Sequence, residues 1–129
     1  MLGGCRMEHM KTQNEILIEV IATAQTAWAR LQQQHGVMVF PAFELSNRFT
    51  RTAGHCLVLE NKIVIGTKFM VQYPEIMHNV IIPHELCHQV DYNKNGFPKG
   101  NRWHGKSWQN IMIRYGLPAD TYHTMEIVK

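Results

Sequence analysis

His84, Glu85 and His88 stand in the order His-Glu-x-x-His inside the apolar run Ile81-Ile82-Pro83-His84-Glu85-Leu86-Cys87-His88-Gln89-Val90. Residues four apart on a helix lie one turn above each other on one face, about 6 Å apart at the backbone. Both imidazoles can then reach one ion. Zinc takes nitrogen ligands at about 2.0–2.1 Å in a tetrahedral set, and a catalytic site keeps one position for water. Glu85 lies about 100° around the helix from His84 and about 60° from His88, placed to act as a base on that water without binding the metal. The motif therefore supplies two ligands and a general base for metal-assisted hydrolysis.

After such a helix the remaining protein ligand arrives from a later helix or loop and can be His, Asp or Glu. The downstream acids are Asp91, Asp120 and Glu126. Asp91 sits three residues past His88 on the same helix, where it can orient a ligand imidazole more easily than join the metal shell. A solvent-facing acid is the simpler expectation for it. His104 follows a loop with enough glycine and proline to turn the chain back, and is the better third ligand; His123 is its competitor. Tyr92, Tyr115 and Arg102 are candidates for stabilising a tetrahedral oxyanion. Cys87, about 60° from His84 on the helix, is expected to fill a small buried space.

The elements that must position these groups follow from periodicity. Ile16, Leu17, Val20, Ile21, Ala24, Ala27, Trp28 and Leu31 recur at helical spacing from Asn14 to about Gln34, with Asn14 or Thr12 as cap and Gly36 at the end. Three strand-like segments follow. Val37 to Leu45 contains Pro41 and belongs at an edge or a bulge. His55 to Glu60 is joined through an Asn61-Lys62 turn to Ile63–Thr67, and a small, mostly antiparallel sheet is expected. Tyr73-Pro74-Glu75 opens the motif helix, which runs to about Asn93 with Ile76, Val80, Ile81, Leu86 and Val90 as apolar flanks. Pro83 inside it predicts a kink or a fresh start. After the turn-rich segment 93–101, the stretch 103–113 reads as a last helix carrying His104, with Trp108, Ile111 and Met112 facing the core.

At 129 residues the chain is one domain's worth, and the fold class expected is α+β. Residues 1–11 read as a flexible leader and 12–129 as a single domain. With 45% hydrophobic and 18% charged residues the composition is that of a soluble globular protein, and no apolar run is long enough to cross a membrane. No secretory signal is evident in Met1 to Met10, and Cys5, Cys56 and Cys87 are odd in number without metal or redox spacing, so a cytoplasmic location is expected. A monomer is the simplest assembly. The formal charge of +3 permits nucleic-acid contact without demanding it, and no acid occurs between Lys94 and Arg114. Trp103, next to Arg102, is the more credible base-stacking residue; Trp108 is better read as core.

The order of a long helix, a small sheet carrying Arg51-Thr52-Ala53-Gly54, then Pro83-His84-Glu85-Leu86-Cys87-His88, then His104-Gly105-Lys106-Ser107-Trp108, then Gly116-Leu117-Pro118-Ala119 and His123 resembles the SprT family, over nearly the whole chain from Asn14 to His123. The resemblance implies a zincin-like minimal metalloprotease domain, with zinc held by His84, His88 and His104, and Glu85 as catalytic base. It implies a protein or peptide substrate. Through the related Spartan proteases, it also implies a role in repair of DNA-protein crosslinks with DNA contact. SprT proteins typically carry a C-terminal zinc ribbon with paired cysteines, whereas no cysteine follows Cys87 here, so DNA contact would fall to the basic surface of the catalytic domain or to a partner. The alternative function is a DNA-associated zinc-binding module without proteolytic activity, against which Glu85 argues.

Overall fold

A computed structural model of the chain describes residues 10–119, 123 and 125–128. Cys5, Asp120 and the leader up to residue 9 lie outside the described residues. Helix α1 spans Gln13–His35. Thr12 begins it with a capping box, its hydroxyl accepting from the Glu15 amide while the Glu15 carboxylate accepts from the Thr12 amide, which satisfies two otherwise unpaired donors. Gly36 ends it at φ 100°, a backbone angle that glycine adopts without penalty. Ile16, Val20, Ala24, Ala27, Trp28 and Leu31 form its buried stripe, as their spacing predicts.

The sheet has strands β1 (Ala42–Ser46), β2 (Gly54–Leu57) and β3 (Lys62–Gly66), in the spatial order β1-β3-β2. β2 pairs antiparallel with β3 through the turn ending at Asn61, which takes φ 51°. β1 pairs with β3 in parallel, Ala42 opposite Lys62 and Ser46 opposite Gly66. The sheet is thus mixed, and the expectation of a mostly antiparallel sheet is corrected. The reason lies in burial: Ile63, Val64 and Ile65 are covered on both faces, the pattern of a central strand, so the less apolar β1 and β2 take the two edges. Segment 47–53 then carries the chain from one edge to the other. Pro41 lies just before the edge strand β1, where its missing N–H removes no ladder bond.

Thr67, expected to end a strand, instead starts the short helix α2 (Thr67–Gln72), which buries Phe69 and Met70. The motif helix is assembled from three pieces: α3 (Pro74–Ile76), a π-helical turn Met77–Ile81 and α4 (Ile82–Asn95). The wide turn is closed by the Ile82 N–H donating to the Met77 carbonyl. Pro83 enters immediately afterwards, in the first turn of α4, where a missing donor costs least, so the fresh start is realised. Ile76, read as an apolar flank, is exposed, while Ile81, Leu86 and Val90 are buried. Helix α5 spans Lys106–Tyr115 and buries Trp108, Ile111 and Met112. Its start corrects the expected last helix from 103: Trp103 and His104 stand in the turn before it. The core gathers between α1, the inner sheet face, α4 and α5. No helix among the described residues is long and apolar enough to cross a membrane.

Candidate metal centre

Helix α4 presents His84 and His88 one turn apart, with ring centroids 5.0 Å from each other. His104 comes from the turn before α5, whose path is set by Gly105 and by a bond from the Gln109 amide to the His104 carbonyl at 2.9 Å. The Nε2 atoms of His88 and His104 are 3.1 Å apart, those of His104 and His84 3.4 Å. All three ligand nitrogens lie within 4.8 Å of one another. Nitrogens bound at about 2.0–2.1 Å to one tetrahedral ion stand roughly 3.3–3.4 Å apart, so this constellation has the dimensions of a metal site. A single proton can bridge only one nitrogen pair at a time, whereas one cation satisfies all three lone pairs. The donor set therefore fits a metal ion.

Trp108 is the floor of the site. Fully buried, it stacks on His88 with centroids 5.0 Å apart and planes 14° apart, and meets His84 and His104 edge-on at 4.7 Å each. The far nitrogen of His88, Nδ1, is buried and has no partner among the described residues, so stacking on the indole sets that ring plane. Burial lowers the pKa of His84 to about 4, helped by the His104 and His123 rings. Burial, then His84, His104 and His55, lowers His88 further, and burial lowers His104. All three are thereby kept neutral, the form that binds metal.

Glu85 points to the same place from the neighbouring position, its Oε2 3.9 Å from His84 Nε2. It is buried, and burial raises its pKa to about 8. A carboxylate so desolvated is a stronger base than an exposed one. The triad and Glu85 line a cleft of about 760 Å³, whose other walls include Gly54 and Cys56 of β2, Ile81, Trp103 and His123. The Ala53 carbonyl accepts from the Gly66 amide, which directs residues 53, 55 and 57 toward β3 and, by alternation, turns the backbone groups of Gly54 and Cys56 away from it to the free edge.

The remaining sequence candidates fall elsewhere. His123 lines the cleft but stands outside the triad, its Nε2 donating to the Arg51 carbonyl at 2.9 Å. Asp91, expected to face solvent, is buried and accepts from the Asn95 amide at 2.9 Å, and among the described residues it makes no hydrogen bond to His84, His88 or His104. Tyr92 packs edge-on against Phe97, Tyr115 lies under the Arg30 guanidinium at 4.9 Å, and Arg102 is exposed; none of them lines the cleft. Cys87 is fully buried, and burial pushes its thiol pKa up, so it is packing. Trp103 is half-buried at the cleft wall. Two contributors escaped the sequence: the close backbone of Gly54, signalled only by the glycine itself, and Gln89, a buried amide with no periodic cue.

The chain matches the model of the SprT-like family over residues 19–123. It is 34% identical over 76 residues to Protein SprT of Actinobacillus succinogenes, covering 58% of this chain and 43% of that one. To Protein SprT of Vibrio parahaemolyticus it is 27% identical over 115 residues, covering 88% and 63%, and to that of Glaesserella parasuis 30% identical over 78 residues, covering 60% and 48%. In these alignments the chain spans about half the length of the curated relatives. No solved structure matches it. The family model covers most of the chain, and its matched stretch contains the histidine triad, Glu85 and the cleft walls: this protein belongs to the SprT-like family.

Proposed function

We propose that the protein is a zinc-dependent endopeptidase acting on extended polypeptide. The observation that carries this is the convergence of three imidazole nitrogens beside a buried carboxylate, in a cleft walled by a free strand edge. His84, His88 and His104 would hold the ion. Zinc bound there supplies Lewis acidity, lowering the pKa of water toward about 7 and polarising a carbonyl. Glu85 takes the proton from the attacking water and gives it to the leaving amine. The outward backbone groups of Gly54 and Cys56 pair with the substrate main chain, which favours extended chains and gives weak side-chain selectivity. Val80, Ile81 and Pro118 supply apolar lining for the flanking side chains.

The finer reading extends to substrates held on DNA. It is supported by exposed Lys94, Lys99, Arg102 and Lys106, none of which has a carboxylate within ion-pair distance among the described residues. Beside them runs an aromatic row in which Phe97 meets Tyr92 at 5.2 Å and Trp103 at 6.0 Å. The free thiols of Cys56 and Cys87 suit a reducing cytoplasm.

The test is cleavage of an unstructured DNA-binding protein by the purified chain, with and without single-stranded DNA, with Glu85→Gln at equal zinc content as control. Peptidase action predicts cleavage that drops at least about 100-fold in Glu85→Gln. Stimulation by DNA supports the finer reading. A zinc-loaded chain that cleaves nothing, and in which Glu85→Gln changes nothing, favours the non-proteolytic zinc module.

A further inference from the structure

Strand β2 is short and lies at a sheet edge, so the ladder to β3 restrains it on one side only. Two side chains from outside the sheet hold the chain on either side of it. His123 donates from Nε2 to the Arg51 carbonyl at 2.9 Å. Gln89, which follows the ligand His88 on α4, donates from Nε2 to the Val58 carbonyl at 3.1 Å, and its Oε1 lies 3.4 Å from the Cys56 thiol. Each anchor is itself fixed. The His123 ring meets the buried Phe69 edge-on at 5.4 Å, and the Gln89 amide also donates to Asn93 Oδ1 at 2.9 Å. Beyond His123, Glu126 is tied to Tyr73 by two bonds and Val128 to Gln72 by two.

We propose that Gln89 and His123 are positioning residues that clamp both ends of the substrate-pairing edge, holding Gly54 and Cys56 at a fixed distance from the metal helix. The proposal rests on the peptidase reading and specifies how the cleft grips its substrate. Gln89 is 1% exposed, and a leucine in its place would leave the Val58 carbonyl and the Cys56 thiol without this partner. The hydrogen bonds of Gln89 serve geometry: they join the element that carries the ligands to the element that carries the edge. His123 performs the same task from the opposite end. A carbonyl can only accept, so Nε2 carries the proton and donates to Arg51, while Nδ1 keeps its lone pair, buried and without a partner among the described residues.

The test uses the zinc-loaded full chain and the variants Gln89→Leu, His123→Leu and His123→Gln, on peptides of graded length. Zinc stoichiometry stays at the wild-type value. KM for peptides long enough to pair with 54–58 rises roughly five- to tenfold, as loss of one or two hydrogen bonds implies, while kcat stays within about twofold. KM for the shortest cleavable peptides does not change, and His123→Gln, which keeps an N–H donor, recovers most of the loss. Equal defects for short and long peptides, a fall in kcat at constant KM, or His123→Gln as impaired as His123→Leu overturns the clamp. Should Gln89→Leu fail to fold, the two His123 variants decide. Amide hydrogen exchange of 54–58 separates this proposal from the peptidase reading: if nothing is cleaved that reading fails, yet the clamp still requires at least about tenfold faster exchange there in His123→Leu. Unchanged exchange overturns it.

Discussion

Gly54 is packed directly on Glu85: a Cβ added to the glycine would lie 3.0 Å from Glu85 Cγ and 3.4 Å from Cδ. Ile65 Cδ1, 3.3 Å away, closes the other side. The edge strand and Glu85 are thus in contact through a position where a methyl group fits only if a neighbour gives by a few tenths of an ångström. Gly54→Ala should push Glu85 or β2 aside, at a stability cost of about 1–3 kcal/mol for overpacking, and lower kcat/KM at least about tenfold with zinc content unchanged. Urea unfolding and peptide kinetics check this; full activity in Gly54→Ala would show that the contact does not hold Glu85 in place.

The assignment of the third ligand separates two histidines that share a cleft. His104→Ala should cost orders of magnitude in zinc affinity, measured by competition with a chromogenic chelator, whereas His123→Ala should bind zinc with wild-type stoichiometry. Zinc at about 100 times its dissociation constant should stabilise the wild type by about 2.7 kcal/mol, and a chelator should reverse the gain. Loss of metal from His123→Ala alone would exchange the two roles.

Trp108 supports all three imidazoles of the triad, and its indole N–H is 3.5 Å from the His84 carbonyl. Trp108→Ala should destabilise the fold by about 3–5 kcal/mol. Trp108→Phe preserves an aromatic floor but shrinks it, so the fold should survive while zinc affinity drops roughly tenfold through looser imidazoles. Equal zinc affinity in Trp108→Phe would mean that the helix backbone alone sets the rings.

Stability of the metal-free protein should peak near pH 6.5. In the folded state His84 titrates at about 4 instead of 6.5 and His88 lower still, so as pH falls from 6.5 through 4 the unfolded chain takes up protons the fold refuses, and stability is lost. Glu85 titrates at about 8 instead of 4.5, so as pH rises from 4.5 through 8 the unfolded chain releases a proton the fold retains, and stability is lost again. Between these limits two histidines outweigh one carboxyl. Denaturant unfolding of the chelator-treated protein at a series of pH values checks this, and Glu85→Gln should flatten the alkaline limb and steepen the acid limb between about 4.5 and 6.5. Stability that still climbs from about pH 6.5 to 8 in the wild type would contradict the burial of Glu85.

Local rules made much of this protein legible from its residues. Helical spacing determined that His84 and His88 share a face with Glu85 between them, because 3.6 residues per turn allows no other arrangement on a helix. Periodicity likewise determined the buried stripe of α1 and Gly36 as its end, while the structure chose Thr12 over Asn14 as its cap and a fresh start over a kink at Pro83. Chain order and a loop able to turn back favoured His104 over His123 as third ligand, and the structure brings His104, and not His123, to the His84–His88 pair.

What required the tertiary structure was every decision that depends on which surfaces compete for the core. β3 took the centre of the sheet because Ile63, Val64 and Ile65 are buried on both faces, which left β1 parallel to it and set β2 beside the cleft. Asp91 went inside because Asn95, one turn away, satisfies it. His104 stopped short of α5 and met His88 across Trp108, and Gly54 came against Glu85. These are contacts between residues far apart in the chain, whose distances no local propensity encodes, and packing alone brings the triad, Glu85 and the strand edge to one place.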